Sequence, residues 1–248
     1  MKKRVFINKK FSIAAFVSGL SLVIVFFPIT QAANFKTYSH SFKVSSENSS
    51  LTLSNPSGSI RVVSWNKAEI KLFANLNESL DIADSQKGSS VNIDVRCSKL
   101  GKANFEINVP ENSTLDIKSL NGDIEILSVA GPISVQTTEG EISLKDIISS
   151  NVTAKSTSGA IFFSGKLFPK GIYNFSSLEN TVNIFLQPES AFTLSATASS
   201  EKIDLGGFQL SDPIRHERRL SGKYYGGGAS LNLATHRGKI NLNKILPK

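Results

Sequence analysis

The 248-residue chain has one cysteine, one tryptophan and three histidines, and these shortages remove whole classes of chemistry. Cys97 stands alone, so no disulfide closes within the chain and the fold rests on burial. At the end of the alternating run Val91, Ile93, Val95, Cys97 it reads as a small core residue rather than a nucleophile. His40, His216 and His236 are too scattered to match metal-ligand spacing. There is no glycine loop leading into Lys-Ser/Thr, no Gly-x-Ser-x-Gly elbow and no dinucleotide fingerprint. The reading is therefore no catalytic residues, no cofactor and no metal.

What is present begins with a leader. Lys2, Lys3, Arg4, Lys9 and Lys10 precede an apolar stretch from Phe11 to Phe27, and Thr30-Gln31-Ala32 then supplies small residues at cleavage spacing. The pattern predicts a signal peptide over residues 1–32, cut after Ala32 or Ala33, followed by one domain over 33–248. An uncleaved anchor is the competing reading, because roughly 17 residues is the lower edge of a bilayer span. No cysteine follows the stretch to carry a lipid. Cleavage removes five of the 28 basic residues and none of the 20 acidic ones, leaving +3 rather than +8. Such a mild charge gives no ground for a nucleic-acid partner, and the expected place is outside the cytoplasm: periplasm, cell surface or medium.

From Phe42 onward, apolar residues alternate with polar ones in short runs, the period of a strand with one buried face. The first apolar members of successive runs fall at 115, 124, 133, 142, 152 and 161, steps of nine or ten residues. A turn residue precedes every second run: Gly58, Gly122, Gly140, Gly159, Asn180 and Gly238. A turn that returns every second strand predicts an all-β solenoid with about 18 to 21 residues per two-strand repeat, rather than a meander. Asn180 stands in for glycine because it also tolerates φ > 0. Asp123, Glu125, Ser134, Gln136, Ser143, Lys145, Thr153 and Lys155 take outward positions and read as one solvated face. Two segments break the rhythm, and both read as loops: 74–90, which is polar, and 206–229, with Gly206-Gly207, Asp212-Pro213 and Gly226-Gly227-Gly228.

Three pieces resemble a bacterial family that bears the label "putative adhesin", a domain of unknown function built of repeated strands. They are Asn55-Pro56-Ser57-Gly58-Ser59-Ile60-Arg61-Val62-Val63-Ser64-Trp65, the central Gly-x-Ile-x-Leu/Ile repeats, and Gly226-Gly227-Gly228-Ala229-Ser230-Leu231-Asn232-Leu233-Ala234-Thr235 running to Gly238-Lys239-Ile240. The chain departs from the pattern at His236-Arg237, at Asn180 and at Glu201-Lys202. The resemblance implies a surface or envelope role and carries no functional residues with it.

Alternation sends Phe162 and Phe185 outward on neighbouring repeats, a candidate patch for a partner or a sugar ring. The alternative is that the 206–229 segment folds back over them. The cluster Arg215, His216, Arg218, Arg219 is a second candidate for an anionic polymer, though Glu217 sits inside it. The expectation is an exported, non-catalytic binding or adhesion module whose partner is an envelope component, a polysaccharide or another surface protein, with no stable transmembrane segment after cleavage. Two rivals stand beside it. A polysaccharide-active enzyme would need two acids, or an acid with Lys or Arg, converging on one face. A self-associating scaffold would need an uncapped end rung.

Overall fold

A computed structural model describes residues 35–77, 80–97, 101–198 and 203–245, so the expected leader lies outside them. Every regular element among these residues is a strand. The chain enters through β1 (Phe35–Lys43), β2 (Ser50–Ser57), β3 (Ile60–Trp65), β4 (Glu69–Asn77), β5 (Leu80–Lys87), β6 (Ser90–Cys97) and β7 (Ala103–Pro110). The regular coil follows as β8 (Thr114–Asn121), β9 (Ile124–Leu127), β10 (Ile133–Glu139), β11 (Ile142–Ile147), β12 (Asn151–Ser156), β13 (Ile161–Gly165), β14 (Ile172–Ser177) and β15 (Val182–Leu186). It ends with β16 (Phe192–Thr197), β17 (Ile203–Asp204), β18 (Ser211–His216), β19 (Arg219–Tyr224), β20 (Ala229–Thr235) and β21 (Ile240–Lys244).

The strands alternate between two sheets that face each other across the core. Sheet A has the order β1-β4-β7-β3-β9-β11-β13-β15-β21-β17, and sheet B the order β18-β19-β16-β20-β14-β12-β10-β8-β2-β6-β5. Within the coil, each strand pairs in parallel with its counterpart one turn on, for example Ile133 with Leu115 and Val152 with Ile133. This is the β-solenoid that the periodicity predicts. Equivalent positions form continuous apolar columns. Sheet A stacks Phe105, Ile60, Ile124, Ile142, Ile161, Val182 and Ile240, all nearly inaccessible to solvent. Sheet B opposes them with Leu51, Leu115, Ile133, Val152, Tyr173, Leu231 and Leu194. Each fully buried Ile or Leu contributes about 1.5–3 kcal/mol before ordering entropy is counted.

Stacking does not follow chain order at either end. The β2–β3 rung lies beside β8–β9, with partners 64 residues apart, whereas β6 and β7 lie outside it. Likewise β20–β21 stacks on β14–β15 across 58 residues, and β16 lies outside β20. Both irregular segments of the sequence become strands here. Residues 74–90 supply the end of β4 and all of β5, because Leu76 and Leu80 keep inward positions while the polar residues fill the wet side of an end strand. Residues 206–229 supply β18 and β19, because Leu220 and Tyr224 pair inward opposite Ala196 and Phe192. The outward residues also divide: Ser134, Gln136, Thr153 and Lys155 lie on sheet B, and Glu125, Ser143 and Lys145 on sheet A.

The six turn residues lie at one corner of the coil, where the chain passes from sheet B to sheet A. Gly58, Gly122 and Gly140 have φ of 113°, 145° and 132°, but Gly159, Gly238 and Asn180 do not adopt the left-handed region. The constraint shared by the glycines is close approach instead. A Cβ on Gly122 would lie 2.1 Å from Gly58 O, on Gly140 2.3 Å from Gly122 O, on Gly159 1.5 Å from Gly140 O and on Gly238 1.9 Å from Asn180 O. Three residues before each turn residue stands a buried polar group: Asn55, Ser119, Thr137, Ser156, Ser177 and Thr235, which are Cα partners in successive rungs. Ser177 Oγ donates to Gly159 O at 2.8 Å and accepts from Asn180 N at 3.1 Å. Thr235 Oγ1 donates to Asn180 O at 3.0 Å and accepts from Gly238 N at 2.9 Å. Asn55 Nδ2 donates to Gly58 O and Ala103 O at 3.2 and 2.9 Å. The hydroxyls thus satisfy turn groups that the tight corner leaves without a sheet partner.

Three of the four sheet edges end in antiparallel strands, and the far edge of sheet A ends in the two-residue parallel strand β17. At one end β4 and β1 extend sheet A, and β5 extends sheet B. A polar latch joins the two: His40 Nδ1 lies 2.6 Å from Asp84 Oδ2 and Gln86 Nε2 donates to Lys43 O at 2.6 Å. Tyr38 OH lies 3.2 Å from the same His40 nitrogen, and burial together with Asp84 pushes its pKa up to about 12. At the other end Phe192, Phe208 and Tyr224 form an aromatic plug with centroids 5.0–5.6 Å apart.

Two outcomes test the corner. Gly159→Ala is expected to cost at least about 3 kcal/mol, lowering Tm by roughly 6–12 °C for a domain of this size; a shift under 2 °C in thermal melting would refute the close-approach account. Ser177→Ala strands a turn amide and carbonyl and is expected to cost about 1–3 kcal/mol. By contrast Ser119→Ala, whose hydroxyl has no partner among the described residues, should be neutral or stabilising in the same thermal melt.

Candidate functional site

The outer face of sheet A carries the densest mixed chemistry. Its strands hold their first outward residue three positions after each turn residue, so Arg61, Glu125, Ser143, Phe162, Asn183 and Asn241 line up in one row across adjacent strands. β7 extends the row with Glu106 and β4 with Phe73, which is 36% exposed. The second outward row brings Lys145 beside Leu127, and Phe185 beside Ser164 and Asn243.

Charges meet at the centre of this face. Glu125 is bound by Arg61 through Nη1 and by Lys145 Nζ at 2.7 Å. The Lys145 hydrogen bond, joined by the Arg61 charge, holds its carboxyl below the usual range. Asp123 accepts from Glu141 N at 2.8 Å, and burial, reinforced by the Asp123 charge, pushes the Glu141 carboxyl up. Arg61, Asp123, Glu125, Glu141, Ser143 and Lys145 line one shallow groove. Acids and cations therefore converge on one face, as the enzyme reading required. Glu125 is committed to two cations and Asp123 Oδ1 to a backbone amide.

Phe162 lies beside Ser143 at the edge of this groove and Phe185 one strand further on, both pointing to the outer side and both half-buried. The 206–229 segment does not cover them; it pairs at the edge of the other sheet. The Arg215–Arg219 cluster lies on that edge hairpin, where every residue of β18 is exposed. Its Pro213 and left-handed Asp212 guard the edge against further pairing. The six turn residues take part in corner packing rather than in this face. Cys97 closes β6, and its side chain lies outside the described residues.

Two features escaped sequence reasoning. The polar residue three positions before each turn residue is a repeated Ser/Thr/Asn signal, readable once the turns are aligned. The Arg61–Glu125 pair spans 64 residues and has no local signal beyond its shared offset from Gly58 and Gly122. Among the described residues no cluster of three His, Cys, Asp or Glu is placed to hold a metal ion, and no helix is long and apolar enough to cross a membrane.

No curated protein matches the chain. Among solved structures it is similar to a "putative cell adhesion protein" from Clostridium sporogenes at 15% identity and a TM-score of 0.50, over 85% of this chain and 100% of that one. It is also similar to a "putative adhesin" from Bacteroides fragilis (11% identity, TM-score 0.33, 85% and 97% covered). A "putative lipid binding protein" from Parabacteroides distasonis has 12% identity, a TM-score of 0.32 and coverage of 85% and 97%. At these identities the likeness concerns the fold. The family model of the Toastrack DUF4097 domain matches residues 42–215, and this chain belongs to that family.

Proposed function

We propose that the protein is an exported, non-catalytic binding module of adhesion type, one that presents the outer face of sheet A to an envelope polymer or surface protein. The observation that carries this reading is the row Arg61–Glu125–Ser143–Phe162: a paired-charge groove with one outward ring at its edge and a second, Phe185, on the next strand. Planar rings beside polar groups suit a sugar or a protein loop, and sites built on strands are positioned more firmly than sites on loops. Membership of a family whose solved likenesses bear adhesin labels is consistent with the same role. The antiparallel caps at the ends of sheet B speak against the stacked scaffold.

The leader at residues 1–32 supplies the route out of the cytoplasm. Expression of the full chain in a bacterial host should yield an exported protein whose mass begins at residue 33 or 34; a retained leader would make it membrane-anchored instead. Pull-down of fractionated envelope and a polysaccharide panel should give a saturable partner. Phe162→Ser with Phe185→Ser is expected to weaken that partner about tenfold or more while leaving the circular dichroism spectrum unchanged. Undiminished binding by the double variant would remove the patch from the function.

A further inference from the structure

The aromatic plug at the end of the coil carries a second surface feature that the sheet A face does not explain. Beside it, the 207–211 segment and the turn after β19 enclose a cleft of about 530 Å³, within the roughly 300–1,000 Å³ range of small-ligand sites. Tyr225 stands at its rim with φ of 49° and 67% of its surface exposed. A bulky aromatic in left-handed backbone is strained, and glycine would fill that position without cost. Glycine is the next residue in the chain, so the turn itself has no need of a tyrosine. The ring is also held rather than loose: it packs edge-on against Tyr224 at 4.6 Å and 62°, and Tyr224 OH donates to Pro188 O at 2.9 Å.

The rest of the cleft is cationic. Lys223 and Lys244 both line it, and no acidic side chain does so among the described residues. Lys244 continues the inward face of β21 beyond the apolar column, with its ammonium 5.0 Å from the Phe208 ring and 5.9 Å from the Tyr224 ring. One of its three donors is used on Gly207 O at 2.8 Å. Ser211 Oγ donates to Lys223 O at 3.0 Å and fixes the opposite wall. A side chain on Gly226 would meet nothing within 4 Å, so the approach to Tyr225 is open.

An exposed aromatic ring at the rim of a cleft lined by two lysines suits a saccharide ring bearing an anionic group. We propose that this cleft binds an acidic glycan unit, its ring face on Tyr225 and its carboxylate or phosphate between Lys223 and Lys244. The site is separate from the sheet A face and stands or falls independently of it.

The test is titration calorimetry of the exported full chain with polygalacturonate, phosphorylated dextran and neutral dextran. Binding to one or both acidic polymers is expected, with the carboxylate and phosphate arms telling which anion is preferred, and neutral dextran should bind at least about tenfold more weakly. Tyr225→Gly should weaken the acidic polymer about tenfold while Tm stays level or rises, since strain is relieved. Lys223→Gln with Lys244→Met, which keeps the packing on Phe208 and Tyr224, should also weaken it and flatten its salt dependence. Failure of both acidic polymers to bind, equal binding of neutral dextran, or full binding by Tyr225→Gly would each overturn the proposal. Loss of binding only in the Phe162→Ser, Phe185→Ser protein would assign the glycan to the sheet A face and overturn this site.

Discussion

At the corner between the two sheets, Gly122, Gly140, Gly159 and Gly238 each lie directly over the turn carbonyl of the neighbouring rung, with no room for a side chain. Neighbouring strands in a sheet sit about 4.8 Å apart, so corners stacked at that spacing bring backbone onto backbone. Glycine permits the approach, and the buried hydroxyls of Ser156, Ser177 and Thr235, three residues earlier, each accept from a turn amide and donate to a neighbouring turn carbonyl. Register in both sheets follows from this one column. A slip of one residue would turn every inward Ile and Leu outward and would also place side chains where only glycine fits.

Because the corner locks the rungs, the outer faces are free to carry chemistry. Residues that stack there are those at equal offset from the corner, which is how Arg61 comes to meet Glu125 and how Phe162 comes to lie beside Ser143. The inner faces are almost wholly apolar columns and leave no place for a polar site. Function on this scaffold therefore belongs to outward rows and to the ends, and the fold by itself does not choose among partners.

The ends are where a solenoid is exposed to unwanted pairing, and this chain treats them with unusual stacking. At both ends a rung that comes earlier or later in sequence is placed inside its neighbour, so that 58 to 64 residues separate paired positions instead of the 18 to 21 of the regular coil. Fraying of an end strand then does not unzip the coil in sequence order. Antiparallel strands cover both edges of sheet B and the β1 edge of sheet A, the His40–Asp84 latch joins the two sheets at one end, and the Phe192–Phe208–Tyr224 plug seals the other. The same plug supports Tyr225 and Lys244, so one packing solution both closes the core and shapes a surface cleft.

Much of the architecture was legible in local pattern. The nine-residue strand step, the turn residue at every second step and the inward Ile, Leu and Val positions are short-range features, and short-range sterics and burial decide them. Even the buried Ser/Thr/Asn ladder was present as a fixed offset from each turn, although only its hydrogen bonds make its purpose plain. What local pattern did not contain was pairing over long distances. Residues 74–90 and 206–229 have the composition of loops and become strands only because an end of the coil offers them a partner, a tertiary gain that overrides weak propensity. The order of the rungs, the division of the outward residues between two faces and the union of Arg61, Glu125 and Lys145 also arise from stacking. Periodicity states that a residue points outward; only the folded coil determines which outward residues, distant in sequence, become neighbours.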